Sequence, residues 1–64
     1  MIKFSNRLKK LRKEKCLNQA ELAEKLGYAR TTIANYEQES RLPSLNTLFD
    51  IADYFEVSLD YLFG

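Results

Sequence analysis

Along this chain apolar residues return at steps of three and four, and no stretch alternates apolar with polar as a half-buried strand would. Phe4, Leu8 and Leu11 fall on one stripe and predict a first helix from about Asn6 to Lys15, with Ser5 placed to cap it. Ala20, Leu22, Ala23 and Leu26 mark the inner face of a second helix. At its start Asn18 and Glu21 form a variant of the capping box, in which each side chain satisfies an orphan backbone amide. Gly27 ends that helix, because glycine takes up left-handed dihedrals without steric cost. A third helix is expected from about Arg30 to Gln38, burying Ile33 and Tyr36. "ESRLP" reads as a loop, since Pro43 disfavours helical dihedrals at Leu42. Ser44 caps a fourth helix lined by Leu48, Ile51, Ala52 and Phe55. Val57 and Ser58 interrupt the chain before "LDYLF", a short fifth helix with Asp60 in its first turn, where the helix dipole favours an anion.

A chain of 64 residues makes one domain, residues 1–64, and buries only ~60% of its unfolded surface. Its 45% hydrophobic and 30% charged content suits a compact helical protein and argues against disorder. No apolar run approaches the ~20 residues of a membrane span, and "MIKFSNRLKK" lacks the long apolar core of a signal peptide. Cys16 is alone, so no internal disulfide can form, and a reducing cytoplasm is the expected setting. With no histidine to activate it, Cys16 reads as a small structural thiol.

The net charge of +1 conceals an asymmetry. Residues 1–15 carry Lys3, Arg7, Lys9, Lys10, Arg12, Lys13 and Lys15 against Glu14 alone, which is +6, and residues 16–64 carry the balancing −5. A basic front and an acidic back permit polyanion binding on one face. A solvated basic helix face gives the same count, so charge alone decides nothing.

Spacing says more. Only Gly27, Tyr28 and Ala29 separate the second and third helices, too few for an antiparallel hairpin, so the two must cross steeply. Ala23 supplies the small residue where the backbones meet, Gly27 the turn, and Ile33 with Tyr36 the apolar anchor of the next helix. Yet that helix opens on Arg30, Thr31 and Thr32, with no apolar residue before Ile33. Those side chains cannot serve the core.

At this point the sequence resembles the phage Cro and repressor (Xre-like) helix-turn-helix family. "LNQAELAEKLG", "TTIANYE", "LPSLNTLFDIA" and "VSLDYLFG" carry the likeness, which runs from about Phe4 to Gly64. The resemblance implies a five-helix, all-α, lambda-repressor-like DNA-binding domain whose helix-turn-helix occupies about residues 18–38. It implies a transcriptional regulator, expected to be a repressor, that works as a homodimer on a two-fold symmetric operator in double-stranded DNA.

In such a motif the start of the second helix enters the major groove. Arg30 can donate two parallel hydrogen bonds to guanine, Asn35 can pair with adenine, and Thr31 and Thr32 offer hydroxyls and thymine-packing methyls. By position, Arg30, Thr31 and Asn35 match the family's main base-reading sites, with Thr32 and Ala34 secondary. Asn35 sits roughly 140° around the helix from Arg30, so both reach neighbouring base pairs only if the helix points tip-first. The competing reading is a helix start that simply faces solvent. Gln19 and Asn18 match phosphate-clamping positions at a helix N-terminus, although Asn18 also caps. Arg41 resembles a second phosphate clamp, and Lys9, Lys10 and Lys13 are general electrostatic candidates.

Glu37 opposes the dipole at the end of its helix and would repel phosphate. The resemblance pairs it with Arg12, an ion pair kept for geometry.

The chain departs from the family pattern at Ala29, where a capping Ser or Thr is common; Thr31 is the alternative cap, which would start the helix two residues later. Cys16 falls where a left-handed residue is often glycine. The aromatic-rich end points to Tyr54, Leu59, Tyr61 and Phe63 as a dimer contact or a contact with a further domain; partly exposed rings are the alternative.

No histidine, metal-ligand cluster, glycine-rich phosphate loop or activated nucleophile is present, so no enzyme, cofactor, metal or small-molecule ligand is expected, and Asp50 with Asp53 reads as a solvated face. The rival to DNA binding is a protein-interaction module of the same fold, such as the antitoxin or adaptor half of a complex. Steep loss of affinity with salt distinguishes the first from the second.

Overall fold

A computed structural model describes residues 2–63, and they form five helices: α1 (Ile2–Glu14), α2 (Gln19–Leu26), α3 (Arg30–Glu37), α4 (Leu45–Phe55) and α5 (Leu59–Phe63). Among the described residues there is no strand, and no helix is long and apolar enough to cross a membrane.

The first helix begins earlier than its capping pattern suggests. It starts at Ile2, so Ser5 lies inside it and is buried rather than capping it. Phe4 explains the difference. To place this ring on the Leu8 and Leu11 stripe, the chain must already be helical at residue 4, and Ser5 beside it is small enough to sit against the interior. All three apolar residues are buried.

Two of the central helices are bounded by local chemistry. At the start of α2 the Asn18 Oδ1 accepts from the Glu21 amide at 2.7 Å, and Glu21 Oε1 accepts from the Asn18 amide at 2.8 Å. Gly27 closes the helix at φ 81°. A Cβ there would meet nothing within 4 Å, so the demand for glycine is purely conformational. Ser44 caps α4 by accepting from the Thr47 amide at 3.2 Å. That helix ends at Glu56, and the connection from α1 to α2 passes through Cys16; both are non-glycine residues in the left-handed region, with φ 56° and 58°. The Cys16 thiol is exposed, which corrects its reading as a structural thiol. It is the backbone of this residue that makes the turn.

Every helix donates to one core. Leu8, Leu22, Ile33, Ile51 and Leu62 are fully buried, one from each helix, and Phe4, Ala23, Tyr36, Leu48 and Phe55 surround them. Each leucine, isoleucine or phenylalanine among them contributes about 1.5–3 kcal/mol if fully removed from water. Phe4 meets the Tyr36 ring edge-on, with centroids 6.2 Å apart, which joins the start of α1 to the last turn of α3. Ala20, expected on the inner face of α2, is exposed. At 100° per residue it points about 160° away from Leu22, a rotation that its methyl cannot reverse.

Candidate nucleic-acid interface

The short turn of Gly27, Tyr28 and Ala29 sends the chain from α2 directly into α3, and these two helices pack on each other more extensively than any other pair. Ala23 is buried at the crossing, while Ile33 and Tyr36 are drawn into the core from the inner side of α3. The opposite side of the same helix is left outside. Arg30 and Thr31 are exposed, and Thr32, Ala34 and Asn35 are half-buried along its flanks. The helix therefore presents a polar tip because its apolar residues begin only at the fourth position.

Helix α3 starts at Arg30, with Ala29 at the N-cap position and no side-chain cap. Thr31 does not displace the start. The first turn is closed by the backbone alone, with the Thr32 amide donating to the Ala29 carbonyl at 3.0 Å and the Ile33 amide to the same oxygen at 3.4 Å. A missing cap costs about 1 kcal/mol.

Behind the tip lies a hydrogen-bonded chain of four side chains. Arg12 donates from Nε to Glu37 Oε2 at 2.7 Å and from Nη2 to Oε1 at 3.0 Å, and from Nη1 to the Leu17 carbonyl at 2.8 Å. Bonding to Glu37 holds the Arg12 pKa above its ordinary value despite an opposing effect of burial. Glu37 Oε1 also accepts from Gln19 Nε2 at 3.1 Å. Gln19 Oε1 in turn lies 3.5 Å from Arg30 Nη1, a long and weak contact. The glutamine thus has one end fixed by a buried ion pair and the other end beside the exposed arginine. Arg12, Asn18, Gln19, Ala20 and Arg30 line a hollow of ≈ 370 Å³ at the start of α2. Glu37 balances the charge of Arg12, so the exposed Arg30 guanidinium and the helix N-terminus are what favour an anion there.

Arg41 is exposed in the loop after α3. On α1, Lys3, Lys9, Lys10 and Lys13 are exposed, but the arginines of the same helix are committed elsewhere. Arg12 serves Glu37, and Arg7 donates to the Tyr61 carbonyl at 2.7 Å while lying 4.5 Å from the centre of its ring. The basic front is therefore narrower than its charge count suggests. Tyr54, Leu59 and Tyr61 are half-buried against the core, and Phe63 stacks on Phe4 at 6.0 Å while remaining 38% exposed.

One contact escaped the sequence reading. The Tyr28 hydroxyl donates to Asp50 Oδ2 at 2.6 Å, tying the turn to α4, so Asp50 is more than a solvated acid. Asp50 raises the Tyr28 pKa through this bond. A tyrosine in so short a turn was the available signal, since a ring of that size needs a surface to lie on.

A polar helix tip held outward by a tight turn from a capped helix defines a helix-turn-helix protein. The chain belongs to that family: residues 8–62 match the one described as Helix-turn-helix. It is 49% identical over 59 residues to the uncharacterised HTH-type transcriptional regulator YqaE of Bacillus subtilis, covering 92% of this chain and 51% of that protein. It is 36% identical over 63 residues to the cryptic phage CTXphi transcriptional repressor RstR of Vibrio cholerae, covering 98% of this chain and 56% of that one. Its fold matches the crystal structure of the restriction-modification controller protein C.AhdI from Aeromonas hydrophila with a TM-score of 0.84 and 31% identity, over 95% of this chain and 92% of that one. The chain spans about half the length of the curated relatives it matches.

Proposed function

We propose that this domain binds double-stranded DNA in a sequence-specific manner and regulates transcription from the cytoplasm, as a repressor that occludes a promoter and without catalysis of its own. The observation that carries the reading is the outward polar tip of α3, with Arg30 and Thr31 exposed beside the hollow at the start of α2. Arg30, Thr31, Thr32 and Asn35 read base edges in the major groove. Gln19, Asn18 and Arg41 hold phosphates and set the register. The repressor assignment draws on the likeness to a phage repressor. A homodimer on a two-fold symmetric operator follows the same family logic, with Tyr54, Leu59, Tyr61 and Phe63 as its contact.

Selection of bound duplexes from a random pool, followed by Arg30→Ala and Arg41→Ala, tests the assignment. Arg30→Ala is expected to relax preference at one base position and cost about 1–3 kcal/mol, while Arg41→Ala weakens binding evenly across sequences. Affinity that is insensitive to salt would instead favour a protein partner.

A further inference from the structure

We infer that Tyr28 and Asp50 form a positioning clamp that aims the start of α3 at its bases, in place of the N-cap that Ala29 cannot provide; this rests on the base-reading role proposed above. Asn18 and Ser44 cap α2 and α4 through their side chains, while α3, the helix with the reading tip, has no such bond at Ala29. The residue just before Ala29 is instead held at both ends. The Tyr28 amide donates to the Ala23 carbonyl at 2.8 Å, which fixes its backbone to α2. Its hydroxyl donates to Asp50 at 2.6 Å, which fixes its ring to α4. A hydroxyl bonded to a carboxylate is among the stronger hydrogen bonds.

The position of Tyr28 in the motif reinforces this. With Ala29 as N-cap, Tyr28 stands at N′ and Ile33 at N4, the two positions of a hydrophobic staple that sets the angle at which a chain enters a helix. Tyr28 packs against the core cluster that contains Ile33. Arg30 follows Tyr28 by two residues, so a shift of the tyrosine passes directly to the reading tip. A cap restrains a helix start from within; the clamp restrains it from α4. Tyr28 and Asp50 need touch no base to govern how well Arg30 meets one.

Tyr28→Phe removes the hydroxyl and keeps the ring. In DNA-free protein, amide exchange at Thr32 and Ile33, which both donate to the Ala29 carbonyl, is expected to speed up about tenfold, with the amides of α2 and α4 unchanged. On DNA, the ratio of specific to non-specific affinity should fall about tenfold, with non-specific binding preserved. Asp50→Ala, which leaves the hydroxyl no acceptor at this position, should do the same, and adding Ala29→Ser to Tyr28→Phe should restore both exchange protection and base preference. Wild-type exchange and preference in Tyr28→Phe would overturn the clamp, as would a uniform loss of protection across all five helices. If Arg30→Ala leaves base preference intact, the reading role itself fails, a result distinct from the DNA-free exchange rates.

Discussion

Arg12 and Glu37, 25 positions apart, meet as a bidentate pair in which each carboxylate oxygen takes one guanidinium bond. The side chains are only 11% and 1% exposed. Removing one partner strands the other charge where little water reaches it. Arg12→Ala is expected to lower unfolding free energy in urea by about 3–5 kcal/mol. Replacing both partners, as Arg12→Met with Glu37→Leu, should recover much of that loss, because no charge is then left buried. A double variant as unstable as the single one would assign the loss to packing.

Gln19 bridges that pair to Arg30. Gln19→Ala should cost about 1 kcal/mol of stability through the lost bond to Glu37. Its larger effect is expected on DNA affinity, since the side chain proposed to hold a phosphate and to adjoin Arg30 goes too. Gln19→Glu places a second carboxylate against Glu37 and should lower affinity further. Titration of a fixed duplex at constant salt checks the order.

Backbone conformation gives predictions of opposite sign. Gly27 at φ 81° has open space around it, so Gly27→Ala is penalised by its dihedrals alone, about 1–2 kcal/mol. Cys16 at φ 58° is the reverse case. Cys16→Gly should stabilise the fold by about 0.5–1 kcal/mol, after the added flexibility of the unfolded chain is subtracted. Thermal unfolding of the two variants against the parent tests both.

The bond to Asp50 keeps the Tyr28 phenol protonated above the ordinary tyrosine range, where the reference value is 10.0. The folded state therefore holds this proton more tightly than the unfolded chain. Stability from the contact is complete below the unfolded pKa and is lost as pH rises through the higher folded one. Residue-specific NMR titration should show Tyr28 ionising late, and Asp50→Asn should move it down. Titration of Tyr28 unchanged by Asp50→Asn would mean that the bond is not made in solution.

How much of this was legible in the residues depends on the range of the forces involved. The Asn18 and Glu21 box, the Ser44 cap and the Gly27 stop join groups within three or four positions, so their geometry follows from the order of residues. The arginine–glutamate pair, Arg12 with Glu37, was indicated by resemblance to a family, not by spacing. Ser5 misled because a serine before a helical stretch looks alike whether it caps or sits one turn inside, and only the seat of Phe4 separates the two.

The order of residues alone determined five helices, most of their ends and the outward polar tip of the third, since each is a matter of periodicity and of backbone dihedrals at single residues. Tertiary structure decided which surface charges remain available. Arg7 turned to Tyr61, Gln19 bridged Glu37 and Arg30, and Asp50 took the Tyr28 hydroxyl. A polar residue on a helix flank has the same neighbours in sequence whether it meets water or another helix. The partner appears only when the helices pack.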